Sequence, residues 1–202
     1  MLKPLRLQTS LLALALLFAA GCASKSPQEE NPEVAAVAPP VTGTHSEETV
    51  LSEAREFFGD GAAGLADVVR VAFRDRGRPN AYIKGEEVGG AIAVGVRYGA
   101  GTIVLANGET REVYWQGPSV GFDIGGNASK AFILVYNLSD MDALFQRFPG
   151  VEGSLYFVGG VSVNYNQSGN TVLAPIRFGV GWRQGANVGY LHMTPKKSWL
   201  PF

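Results

Sequence analysis

The chain has 202 residues, with 17 lysines and arginines against 18 aspartates and glutamates for a formal charge of −1. That balance offers no basic excess for a nucleic-acid partner, and a lone cysteine excludes an internal disulfide framework. With 26 glycines and 46% hydrophobic residues, the composition fits one glycine-rich globular domain.

Lys3 and Arg6 form a positive n-region, and the apolar run Leu11 to Ala20 has signal-peptide length, too short to span a bilayer. Ala19, Ala20 and Gly21 then precede Cys22, the pattern of a lipobox. Small residues fit the peptidase and the thiol receives a diacylglycerol. Residues 1–21 are therefore read as a lipoprotein signal peptide and Cys22 as the lipid attachment site, the alternative being an ordinary secretory cleavage near Ala20 to Ala23 with Cys22 incidental. Several acyl chains hold a domain firmly at a bilayer, each buried methylene contributing about 0.8 kcal/mol. Ala23 and Ser24 lack the aspartate that would favour inner-membrane retention, so the expected address is the periplasmic side of the outer membrane. Residues 22–48, mostly Pro, Glu, Ala, Ser and Asn without apolar periodicity, read as a flexible tether. The domain is expected over 49–202.

Thr44 and Glu47 have capping-box spacing, and Val50, Leu51, Ala54, Phe57 and Phe58 recur on one helical face until Gly59. A second helix is expected from about Ala62 to Arg76, with Leu65, Val68, Val69, Ala72 and Phe73 as its stripe. Short strands follow over Ala91 to Arg97, Gly101 to Leu105, Arg111 to Trp115, Ser119 to Ile124 and Phe132 to Asn137, with Asn107-Gly108 as a hairpin turn in which both residues take positive φ. Ser139 is placed as the cap of a helix from Asp140 to Phe148. Three longer strands complete the pattern: Ser154 to Asn166, Asn170 to Arg183 and Ala186 to Met193, linked by Gln167-Ser168-Gly169 and Gln184-Gly185. The fold class expected is mainly β with a few short helices, a small antiparallel barrel, closed or nearly closed, since closure removes exposed edges.

Parts for chemistry are few. His45 and His192 are the only histidines, so neither a histidine metal site nor a Ser-His-Asp triad is expected, and no cofactor is assigned. Gly99-Ala100-Gly101 and Gly125-Gly126 lack the remainder of a nucleotide-binding motif and read as strand-end turns. Glu86, Glu87 and Asp123 are the carboxylates that could share a site with Arg97 or Arg177; otherwise they are solvated or ion-paired at the barrel rim. Trp115, Gln116 and Asp123 around Gly117-Pro118 form a candidate binding site, with an aromatic face beside polar groups; alternatively Trp115 fills the core.

The blocks Arg78-Pro79-Asn80-Ala81-Tyr82-Ile83-Lys84-Gly85-Glu86-Glu87, Tyr114-Trp115-Gln116-Gly117-Pro118-Ser119-Val120-Gly121-Phe122-Asp123 and Gln146-Arg147-Phe148-Pro149-Gly150 resemble the envelope integrity protein A family. So do Ala174-Pro175-Ile176-Arg177, Asn187-Val188-Gly189-Tyr190-Leu191 and Trp199-Leu200-Pro201-Phe202. The resemblance runs from about Phe57 to Phe202. It implies a small periplasmic β-barrel that supports envelope integrity with no established reaction. The lipobox departs from the freely periplasmic members. A fainter similarity links Gly117-Pro118-Ser119-Val120-Gly121 and Phe132-Ile133-Leu134-Val135-Tyr136-Asn137 to the SYLF lipid-binding domain.

Three functions from different classes stay open. The first is a non-enzymatic envelope protein that binds a lipid, polysaccharide or protein of the envelope, and the second is a carrier of an apolar ligand. The third is a membrane-spanning barrel, against which Pro201 and Lys196-Lys197 interrupt the alternation of a final transmembrane strand.

Overall fold

Helix α1 spans Glu47–Phe58. Its cap is Ser46, two residues later than the predicted Thr44: the Ser46 Oγ accepts from the Thr49 N–H at 3.2 Å. Glu47 and Glu48 place negative charge in the first turn, where the helix dipole favours it. Gly59 ends the helix at φ +85, and Lys130 Nζ donates to the Phe57 carbonyl at 2.6 Å. Helix α2 covers Leu65–Arg76. It starts at Gly64, where a Cβ would collide with the Val158 carbonyl. The computed structural model describes residues 38–59, 61–123, 128–178 and 189–198. Cys22, the Gln184-Gly185 link and Trp199 to Phe202 lie outside them. Residues 41–46, assigned to the tether by composition, are held by the domain: Val41 N–H donates to the Ser139 carbonyl and His45 N–H to the Pro79 carbonyl, both at 2.8 Å.

Nine strands form one antiparallel sheet among the described residues: β1 Ala81–Leu105, β2 Thr110–Asp123, β3 Ser129–Tyr136, β4 Arg147–Pro149, β5 Tyr156–Val158, β6 Val161–Val163, β7 Asn166–Ser168, β8 Thr171–Phe178 and β9 Tyr190–Thr194. The order is β4-β9-β2-β1-β3-β8-β6-β5, with β7 also on β8. The sheet curls until its ends nearly meet. Gly150 bridges Asn166, the Asn166 amide donates to the Phe148 carbonyl at 3.0 Å, and Ser168 Oγ to Gln146 Oε1 at 2.8 Å. The small antiparallel barrel, expected closed or nearly closed, is found as a curled, barrel-like sheet of nine strands among the described residues.

Burial explains why β3 and β8 read as almost continuous apolar runs. Their outer residues, Phe132, Leu134, Tyr136, Val172, Ala174 and Ile176, lie under Val50, Ala54, Val68, Val69 and Ala72 of the two helices. Their inner residues, Ile133, Val135 and Leu173, meet Ile83, Ile103, Val113, Trp115, Phe148 and Met193 inside the barrel. Lys84 of β1 and Glu53 of α1 pair at 2.8 Å and tie the helix layer to the sheet.

Several expected boundaries moved, each for a physical reason. Gly99-Ala100-Gly101 is no turn but part of β1, which doubles back on itself: the Ala106 N–H donates to the Asn80 carbonyl at 3.0 Å just beyond its two ends. Gly85 and Gly101 face each other so closely that a Cβ on either would stand 2.8 Å from the other's Cα. The Asn107-Gly108 hairpin forms, but only Gly108 takes positive φ, at +87. Gly108 N–H donates to the Leu105 carbonyl and Leu105 N–H to the Glu109 carbonyl, the three-residue loop with a glycine bulge. The helix expected over Asp140 to Phe148 is a single 3₁₀ turn, Asp142–Leu144. Asp140, not Ser139, caps it through the Ala143 N–H at 2.9 Å. Nine residues give too little helix to stand alone, and the chain instead offers Gln146 O to Met193 N–H at the sheet edge. The run from Ser154 to Asn166 breaks twice, at the Gly159-Gly160 turn and at Asn164-Tyr165 opposite Pro175, which has no N–H to donate. That break leaves Leu155 and Phe157 exposed while Val161, Val163 and Tyr165 are buried. The next loop is Gly169-Asn170, with Gln167 and Ser168 in β7.

Candidate functional site

Side chains alternate across a strand, so the neighbours Glu86 and Glu87 face opposite ways. Glu86 is exposed; Glu87 is 2% exposed and points into the barrel. There Arg177, from the end of β8, grips Glu87 in two-pronged fashion, with Nε 2.8 Å from Oε2 and Nη2 2.9 Å from Oε1. The indole Nε1–H of Trp115 donates to Oε1 at 2.9 Å, and Arg97 stands 3.6 Å from Oε2. Burial by itself would push this carboxyl up. The attraction of Arg177 and then Arg97, with hydrogen bonds from Arg177 and Trp115, outweighs it and brings the pKa down to about 2. The network continues: Arg177 Nη1 donates to Asn164 Oδ1 at 2.9 Å, and Asn164 Nδ2 to Asn166 Oδ1 at 3.0 Å. Through Asn166 and the Phe148 carbonyl the chain of bonds ends at the barrel seam.

A carboxylate held ionised to about pH 2 with both oxygens occupied is a poor general acid or base at neutral pH. Its chemistry is that of a buried strut. Arg177 and Arg97 meet Glu87, and Trp115, grouped from the sequence with Gln116 and Asp123, joins them in a role internal to the fold. Asn164 and Asn166 were missed; their signal was polar residues at alternate positions, the parity that faces the barrel interior.

The other face of the same region carries an opening. A cavity of about 400 Å³ lies between β1, β2 and the chain after β9, bounded by Gly85, Glu86, Val88, Tyr98, Gly99, Ala100, Tyr114, Trp115, Gln116, Thr194, Lys197 and Ser198. The Trp115 indole separates cavity from network. It lies so close over Gly99 that a Cβ there would enter the ring, and one on Gly85 would stand 2.6 Å from it. Those two glycines are needed for the close approach of an aromatic ring.

Gln116 is 3% exposed, on β2 opposite Tyr98 of β1 and His192 of β9. Asp123 does not join it. Thr110–Asp123 is one uninterrupted strand, with Asp123 opposite Ala91, so eight steps of roughly 3.3 Å separate Asp123 from Trp115. Gly117-Pro118 is not a strand junction. Among the described residues the pairing with β9 runs from Tyr114 to Gln116, and Gly189 lies close against the Pro118 ring. His45 packs on Tyr82 at 4.8 Å between ring centroids, and burial lowers its pKa. His192 lies across from Arg147; burial, then Arg147, lowers its pKa. Among the described residues no cluster of His, Cys, Asp and Glu could hold a metal ion, and no helix is long and apolar enough to cross a membrane.

A family model described as Envelope integrity protein A matches residues 43–202. The crystal structure of a beta-barrel-like, uncharacterized protein from Brucella abortus is similar, with a TM-score of 0.72 and 43% sequence identity. The match covers 80% of this chain and 100% of that one. No curated protein matches the chain.

Proposed function

The chain belongs to the envelope integrity protein A family, and from that membership we propose that it is a non-enzymatic, lipid-anchored periplasmic protein that supports the cell envelope by binding another envelope component. The family match over residues 43–202 carries this reading. Three features support it. The Ala19-Ala20-Gly21-Cys22 lipobox would place the domain on a tether at a membrane, with Ala23 and Ser24 favouring the outer one. The one deeply buried carboxylate among the described residues, Glu87, is engaged in holding the barrel. The helices cover the outer face of β3 and β8, where a spanning barrel would present an apolar band to lipid.

The anchor is testable by itself. Replacing Cys22 with Ser removes the only sulfur that can carry the lipid and touches nothing in the described domain. The protein is expected to move from the membrane fraction to the soluble periplasmic fraction with an unchanged far-UV spectrum. Unaltered sedimentation with membranes would overturn the lipoprotein reading.

A further inference from the structure

The cavity beside Trp115 selects a class of ligand by what its walls lack. The Trp115 Nε1–H bonds to Glu87, and the ring, itself 1% exposed, closes the floor of the cavity. Gly85, Gly99 and Ala100 contribute backbone and one methyl, Val88 and the rings of Tyr98 and Tyr114 add apolar surface, and Gln116, Thr194 and Ser198 are the uncharged polar residues of a mostly apolar lining. Its charged lining residues, Glu86 and Lys197, are both exposed, as is Val88 at 44%. Charge therefore sits on the solvent side, and apolar surface makes up most of the rest of the wall. A saccharide carries a hydroxyl on nearly every carbon; pressed against such walls, each unsatisfied group would cost about 1–3 kcal/mol. A chain of methylenes has no such debt, and about 400 Å³ falls in the size range of small-ligand sites, roughly 300–1,000 Å³.

We propose that this cavity takes a single acyl chain, its polar head left at the mouth beside Glu86 and Lys197. The proposal rests on the reading that the protein works by binding an envelope component, and names that component's chemistry.

The test uses the full chain carrying Cys22→Ser, so that its own lipid cannot occupy the site, and the fluorescent polyene fatty acid cis-parinaric acid as probe. Saturable fluorescence enhancement is expected. Lysophosphatidylethanolamine and oleate then compete: preference for the first assigns a phospholipid, preference for the second a free fatty acid, and a soluble oligosaccharide is expected to leave the signal unchanged. Two further variants place bulk or charge on the wall at exposed positions: Ala100→Phe fills the cavity and Val88→Lys makes it polar. Each should weaken the probe roughly tenfold or more with the melting temperature preserved. No saturable binding, or full affinity in both folded variants, would overturn the proposal. Binding is read in vitro, so it fails independently of the envelope reading, which fails if the wild-type gene does not restore a deletion strain's growth on deoxycholate.

Discussion

Replacing Arg177 with Ala should lower the stability of the domain by roughly 3–5 kcal/mol, because the substitution leaves Glu87 charged inside the barrel without its principal partner. For a domain of this size that is a drop in melting temperature on the order of 10 °C. The double substitution Glu87→Leu with Arg177→Met should be far milder, since apolar groups of similar volume leave no uncompensated carboxylate in the barrel and Arg97, 26% exposed, keeps contact with solvent. The pH dependence follows from the same group. Glu87 titrates at about 2 in the folded chain and near its ordinary value of 4.5 when unfolded, so on acidification the unfolded chain takes up the proton first. The pair's contribution is complete above about pH 4.5 and is lost between there and about pH 2. The shift corresponds to about 3 kcal/mol. Stability against urea, measured from pH 5 to pH 2, should fall less steeply in Glu87→Gln than in wild type; parallel acid profiles would show that the carboxylate does not hold the barrel.

Trp115→Ala should be comparably damaging, by about 3–5 kcal/mol, as it empties a fully buried indole site and removes a hydrogen bond from Glu87. The more discriminating substitution is Gly99→Ala. A single methyl there falls within the indole, and overpacking of that kind costs about 1–3 kcal/mol. In the Trp115→Ala background the same methyl meets empty space, so its cost should shrink to a few tenths of a kcal/mol. Coupling of this size is expected only of residues in contact. If Gly99→Ala costs the same in both backgrounds by denaturant melts, the indole does not lie over Gly99.

Periodic segments were the readable part of this chain. The stripes of α1 and α2 follow from residues three or four apart, and the almost continuous apolar runs of β3 and β8 mark strands covered on both faces, so the helices and the barrel could be read from them. Glycines were not readable in the same way, because a glycine that permits a turn and one that admits a neighbour look alike. Gly99 and Gly101 read as a turn in the sequence; what they accommodate, the Trp115 ring and Gly85, lies far along the chain. The candidate site divided by the same logic. Glu87 and Arg177 could be named as charges but not as partners, since their meeting depends on the register of β1 against β3 and of β3 against β8. Asp123 is grouped with Trp115 if Pro118 is read as a break, whereas β2 pairs with β1 without interruption from Thr110 to Asp123.

The intact mass of the protein, taken by native mass spectrometry after gentle extraction from its own membranes, tests the functional reading most directly. The expected spectrum shows a chain beginning at Cys22, heavier by a lipid modification on that residue, with part of the population carrying one additional non-covalent lipid that is lost in Ala100→Phe. A bare polypeptide mass, with no modification at Cys22 and no retained lipid, would contradict both the anchor and the acyl-chain site.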